Sequence, residues 1–495
     1  MHARAFFTAL ACLFLVVAVA ELSPGGAATA PPTGTAESPQ SQGSSRSPAP
    51  PQTPAQVAAP VLATPRTPTY LPELQVPPLP AGAPSPVPTG RAISLPEAIA
   101  IALANQPQLA LAAYSSDAAR ERVRETASGL YPTLSISAQH TRTGPSQGGG
   151  TAAVGSQFTT GGYTTNFSAR ELIWDFGKTP ATVGQARNLA EAARQALAQT
   201  RQDTINQVKQ SYYALLQSHE LLGVQQQTVN DQQAHLELTQ GRFEAGVAPR
   251  SDVATAEAAV ADAVLNLATA QNAAAAARIN LNIALGIDVR TPTLVEQTEE
   301  AGPSVVDPAA LVEQAFSNRP AVGQSRADVA AADNALRVTR ANNLPGFFLN
   351  GNYGLAGSTF PPERASWAYG VSMTWPLVDV GLTKGRIREA EANLLAAQAQ
   401  LRQTEQTVSS QVIQAYLNVQ TARQKVAAAE AEVASAEESL RLHTGRYEAG
   451  VAAYIEVTDA ETAALTARTN LVNARFGLST SLAALESALG VVEGG

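Results

Sequence analysis

A phrase of seven residues, Gly241-Arg242-Phe243-Glu244-Ala245-Gly246-Val247, returns 204 positions later as Gly445-Arg446-Tyr447-Glu448-Ala449-Gly450-Val451. Only the aromatic changes. Each copy separates two long segments rich in Ala and Gln that read as helices. Gly tolerates the left-handed conformation that ends a helix, so Gly246 and Gly450 predict tight turns between paired helices. The chain is therefore a duplicated helical hairpin, and its other elements must also occur twice.

The segments before each turn carry a seven-residue period. In the second copy Val412, Val419, Val426, Val433 and Leu440 form one apolar seam, matched in the first by Val208, Leu215, Leu222, Val229 and Leu236. A second seam is Val408, Ala415, Ala422, Ala429 and Ala436 in copy two, but Thr204, Ser211, Ser218, Gln225 and Gln232 in copy one. A sustained heptad is a coiled-coil signature, and the many Ala residues allow close helix approach. At 1.5 Å per residue a helix over 382–443 runs roughly 93 Å, and helices over 307–343 and 454–489 about 55 Å each. Two short helices stacked end to end match one long one. Six segments thus predict four layers in long antiparallel pairs, a rod or tube. An aromatic content of only 5% suits such helices better than several compact cores.

Pro132 and Pro345 end the helices that precede them. From each of these prolines to the motif Trp174-Asp175-Phe176-Gly177, or its counterpart Val378-Asp379-Val380-Gly381, the apolar period becomes two. Trp367 to Trp375 places Trp, Tyr, Val, Met and Trp on one face and Ala, Gly, Ser and Thr on the other. Phe347 to Leu355 and Leu134 to Ala138 alternate likewise, and 163–175 is more mixed. Copy one carries nine extra residues here, expected in a loop from Gly148-Gly149-Gly150 to Gly161-Gly162. Strands of about ten residues with an apolar outer face and aromatics near their ends are the mark of a membrane β-barrel. The belt candidates are Trp174, Phe347, Tyr353, Trp367, Tyr369 and Trp375. An ordinary half-exposed hairpin is the competing reading, but little else in the chain could cover such faces. Four strands cannot close a barrel, and an open edge in lipid leaves unpaired backbone groups. The chain must then oligomerise: three copies give twelve strands, while two give eight, too narrow for a wide aqueous lumen.

The remaining segments fit an exported protein. The apolar run ending in Ala18-Val19-Ala20 reads as a signal peptide, 1–22, and contains the sole cysteine, Cys12. Residues 23–90 are crowded with Pro, Ala and Ser and read as a disordered tether. The first repeat is expected over 91–290, starting at Ser94, a potential helix cap, with Pro96 in the first turn. A linker follows over 291–306 and the second repeat over 307–492. A net charge of −8 offers nothing to nucleic acid. No metal-spaced histidine pair, phosphate loop or nucleophile elbow is found, so neither an enzyme nor a cofactor is expected. His219, His235 and His443 lie on the long helices as exposed or seam residues rather than ligands.

Two copies of hairpin, Asp-x-Gly turn, very long helix and (Phe/Tyr)-Glu-Ala-Gly-Val turn resemble the TolC-like outer membrane factor family, from about Ser94 to Val492. The resemblance implies a homotrimer: a twelve-stranded outer-membrane barrel continuous with a periplasmic helical tunnel. It implies a passive exit duct for efflux or type I secretion, served by a periplasmic adaptor protein and an inner-membrane transporter. The repeated turns become the periplasmic tip, with Gly246-Val247 and Gly450-Val451 matching the adaptor-docking motif. Glu456 and Asp459 match the acidic gate, three apart on one helix face. A ring of such carboxylates would favour cations; acids in a first helical turn also simply complement the dipole. Tyr447 and Asp252 match a latch, but the arginine that family places two after the second Gly is Ala452 here. The rival function is a coiled-coil structural or adaptor protein of the periplasm, which accounts for the helices but not the strands.

Overall fold

A computed structural model describes residues 91–143, 160–297 and 307–491. The expected signal peptide, the tether and Gly148-Gly149-Gly150 lie outside the described residues, as do positions 298–306 of the linker and Val492. In chain order the elements are β1 (Ala92–Ile93), α1 (Leu95–Asn105), α2 (Pro107–Ser128), β2 (Thr133–Thr143), β3 (Thr160–Trp174), α3 (Lys178–Glu244) and α4 (Arg250–Leu285). The second repeat follows with β4 (Leu294–Val295), α5 (Pro308–Asn318), α6 (Pro320–Ala341), β5 (Gly346–Gly357), β6 (Arg364–Thr374), α7 (Leu382–Glu448) and α8 (Tyr454–Leu489).

The helix expected to run unbroken over 307–343 is two helices, and Pro107 makes the same break in the first repeat. A residue before proline is pushed out of the helical region. Gln106 and Arg319 accordingly adopt extended backbone, and each proline opens the next helix. Ser94 sits at the start of α1 but makes no side-chain capping bond, contrary to expectation. Gly161 and Gly162, expected in a loop, are instead paired inside β3 with Arg142 and Thr141.

The breaks have an architectural use. α2 and α4 both pack along α3, and α6 and α8 both pack along α7. Their ends meet at the breaks: a Cβ on Gly286 would lie 2.8 Å from the Asn105 carbonyl oxygen, and one on Gly490 2.9 Å from Asn318. Both glycines also have positive φ, so sterics demand glycine twice over. The Gln106 amide donates to the freed Ala284 carbonyl at 3.2 Å.

Four layers result. α2 and α4 form one edge, α3 the next layer, α6 and α8 the third, and α7 the far edge. The 67-residue helices α3 and α7 each run about 100 Å. Every position of the predicted apolar seams is buried or half-buried. The large apolar clusters lie at the waist: Tyr212, Leu215, Leu281 and Leu285 with α1, and Val412, Leu482 and Leu485 with α5. There Tyr212 Oη donates to the carbonyls of Ile93 and Glu296, tying β1 to β4.

The strands form one antiparallel sheet in the order β2-β3-β5-β6, the same lateral order as α2-α3-α6-α7. A bulge between Leu172 and Trp174 interrupts the β3–β5 register. At the return from sheet to helix, Asp175 accepts from the Thr179 N–H at 2.7 Å and Asp379 from the Thr383 N–H at 2.8 Å. Phe176 and Val380 sit at φ 54° and 48°. That conformation is strained for Val in particular, and its appearance in both repeats marks it as part of the plan.

Candidate functional site

The sheet sorts its side chains by register. Ile136 pairs with Phe167, Phe167 with Tyr353 and Tyr353 with Trp367, which puts them on one face with Leu134, Phe347, Tyr369, Val371 and Met373. This apolar face is uncovered in the isolated chain: Leu134 is 70% exposed, Trp367 72% and Tyr369 79%. Trp367 and Tyr369 stack with centroids 5.9 Å apart. The opposite face is mostly small and polar, with Ser135 and Ser168 hydroxyls 2.6 Å apart and Asn350 donating to Ser372 at 2.7 Å; at its helix end Phe348 lies under Arg170, its ring centre 4.0 Å from the guanidinium.

Aromatics gather at both strand ends. At the helix end are Phe347, Trp174 against Phe176, and Trp375, whose indole donates to the Asn343 carbonyl at 3.2 Å. At the far end His140 stacks on Tyr163, which meets Phe360. The sequence pattern missed Phe176, Leu377, Val378 and Val380, all exposed beside Trp174 and Trp375. They lie past the alternating strands, where no period announces them.

At the opposite end of the rod are the repeated turns. Gly246 and Gly450 share φ 74° and the same pair of bonds. The glycine N–H donates to Phe243 or Tyr447, and the following valine N–H to Arg242 or Arg446, each near 2.9–3.0 Å. This is the Schellman closure that glycine permits. Val247 and Val451 project from it, both about two-thirds exposed.

Around these matching backbones the side chains differ. Arg242 reaches across to the second hairpin, donating to the Glu448 carbonyl at 2.9 Å with its guanidinium 4.8 Å from the Tyr447 ring centre. Arg446 stays in its own hairpin, 3.4 Å from Glu456, which also lies 3.2 Å from His443. Asp459, in contrast, is exposed. Tyr447 is buried with Tyr454, Val457 and Ala256, and burial pushes the Tyr454 phenol up to about 12. Asp252 does not bond to Tyr447; its carboxylate accepts from Ser251 at 3.3 Å. The two predicted latch residues are thus not joined within the chain, and Arg242, unnoticed in the sequence, holds Tyr447 instead.

One further contact links the repeats. Glu461 on α8 is buried against α3, 2.6 Å from His235 and accepting from the Gln232 amide at 2.8 Å. The Glu461 carboxylate, opposed by burial, raises the His235 pKa above its ordinary value.

An exposed apolar sheet with free edges, continued by helical hairpins about 100 Å long, is the construction of outer-membrane channel proteins. The chain belongs to the outer membrane efflux protein family, whose model matches residues 98–287 and 311–491. It is 24% identical over 405 residues to the outer membrane protein TolC of Escherichia coli (strain K12), covering 78% of this chain and 80% of TolC. It is 28% identical over 396 residues to Protein CyaE of Bordetella pertussis, covering 75% of this chain and 80% of CyaE. The fold matches the Campylobacter jejuni CmeC outer membrane channel (TM-score 0.73, 18% identity, 80% of this chain and 85% of that one). It also matches the Vibrio cholerae outer membrane protein VceC (TM-score 0.72, 22% identity, 80% and 96%). The rival periplasmic adaptor function is set aside by this membership.

Proposed function

We propose that this chain is one protomer of a trimeric outer-membrane duct through which solutes or polypeptides leave the cell. It would be fed by an inner-membrane transporter through a periplasmic adaptor. The observation that carries this reading is the pair of open edges. Among the described residues β2 and β6 each have one free side, and the face between them is apolar. In lipid such edges must be paired. Other copies of the chain offer strands of matching length and alternation. The helical layers support the same closure, since apolar side chains such as Leu265 on α4 and Leu395 and Leu417 on α7 are exposed at the two outer edges. Three chains give a twelve-stranded barrel above a tunnel of long helices, with the repeated turns at the periplasmic tip. There Val247 and Val451 with their glycines form the adaptor-docking surface, Asp459 with Glu456 the gate, and Arg242 with Tyr447 the closure within each chain. Efflux is supported by a relative named as a toluene efflux pump outer membrane protein, and a passive duct of this build takes solutes or polypeptides according to the transporter that feeds it.

The test is extraction and reconstitution. Full-length protein should require detergent, migrate as a trimer and give discrete conductance steps in planar bilayers. Recovery as a detergent-independent soluble monomer would overturn the proposal.

A further inference from the structure

Where α3 meets α8, three sets of polar side chains join the two repeats between patches of apolar contact. α3 faces α8 through Lys209 against Glu486, Gln217 donating to Asn473 at 2.8 Å, and Gln232 and His235 against Glu461. Of the two 67-residue helices only α3 has neighbours on both sides, and Gln232 of its polar second seam is one of these contacts. Polar pairs can be exchanged for water as helices slide, whereas an interlocked apolar seam cannot be parted without exposing apolar surface.

The Glu461 site stands apart from the other two. A buried carboxylate is costly unless paired, and Glu461 has two partners, both on the other repeat. It also lies on the helix that carries Glu456 and Asp459, five and two residues further along. The next turn of α3 continues the contact: Thr239 is fully buried, its hydroxyl donating to the His235 carbonyl at 2.7 Å. The ionisable groups facing His235 are Glu461 on α8, Asp231 on α3 and Glu448 at the end of α7, all acidic. Asp231 is met in turn by Arg468 of α8 at 3.6 Å.

We infer that His235 and Gln232 are positioning residues that seat the gate-bearing helix α8 on α3 through Glu461, and that this seat loosens when His235 gives up its proton. The inference rests on the channel reading above. Its sign follows from the charges. The carboxylate of Glu461 favours the charged imidazole, so the ion pair is complete in acid. The ion pair is lost as pH rises through the elevated His235 value, leaving the buried Glu461 carboxylate with uncharged donors alone, the Gln232 amide and the neutral imidazole. The closed tip should therefore be firmest in acid and open more readily in base, so that the duct senses the pH of the periplasm.

Planar-bilayer conductance of the full-length protein, measured from about pH 6 to about pH 9 where an elevated histidine titrates, tests this. Wild-type conductance should rise across the range. His235→Gln should give a flat profile at the high-pH level, and His235→Lys, which keeps the charge, a flat profile at the low level. Two opposite plateaus could not come from loss of fold. Glu461→Gln should resemble His235→Gln, while His443→Gln, which removes the other tip histidine, should keep the rise. The inference is overturned if His235→Gln retains the wild-type profile, or if His443→Gln abolishes it. A wild-type protein that forms no pores at any pH would instead overturn the channel reading itself.

Discussion

Arg242 in the first repeat donates to the main-chain carbonyl of Glu448 in the second at 2.9 Å. Its counterpart Arg446 turns to Glu456 in its own hairpin. Heptapeptides that differ only in their aromatic therefore do different things on matching turns, because α3 is an interior layer with α8 beside it and α7 is an edge.

Arg242→Ala should loosen the tip. An exposed charge-assisted bond of this kind contributes about 1 kcal/mol, roughly a fivefold change in an open-to-closed ratio. Single-channel recordings should show more frequent or larger openings. Arg446→Ala should not reproduce the effect, since its contacts do not cross between repeats.

Glu456→Ala combined with Asp459→Ala should reduce block by multivalent cations added from the periplasmic side. The single variants should be unequal. Glu456 already faces Arg446 and His443, so Asp459→Ala should account for most of the loss. Unchanged block in the double variant would remove these residues from the gate.

Adjacent positions in β6 should respond oppositely to the same change. Tyr369 lies on the apolar face and Ala368 on the polar one. Tyr369→Arg should cost about 2–4 kcal/mol per chain if it meets the bilayer midplane, seen as lost trimer in outer-membrane fractions. Ala368→Arg should assemble and alter conductance. Equal tolerance of both would argue against lipid on the Tyr369 face.

The two classes of left-handed glycine should also separate. Nothing lies within 4 Å of a Cβ at Gly246, so Gly246→Ala carries only the backbone strain, roughly 1 kcal/mol. At Gly286 the new methyl would meet the Asn105 carbonyl at 2.8 Å, adding overpacking of about 1–3 kcal/mol. Thermal unfolding should show Gly286→Ala as clearly the weaker protein. Gly246→Ala should fold normally and be tested for adaptor binding.

Much of the helical plan was legible in the sequence because it repeats. The glycine turns, the heptads and the 204-residue offset are each one-dimensional signals, and the long helices begin and end near the expected positions. The strands were legible from alternation, and the belt aromatics lie within or beside them. What sequence reading missed has no period. The breaks at Pro107 and Pro320 sit inside segments whose other residues favour helix, so the prolines outvoted the local pattern. The pairing of His235 with Glu461 spans 226 positions, and nothing near either residue points to the other. Arg242 was hidden by the repeat itself, since equal sequence suggested equal use.

The matching backbone of Gly246 and Gly450 has a consequence for counting. Three chains would bring six turns to one ring, alike in main chain yet alternating in their surroundings. A partner reading only the Gly-Val turn would see six equal places. A partner sensitive to Arg242 or to the Arg446–Glu456 pair would see three of one kind and three of another. Saturation of the tip should then proceed either in a single phase of six or in two phases of three, and the stoichiometry alone would reveal which part of the turn is read.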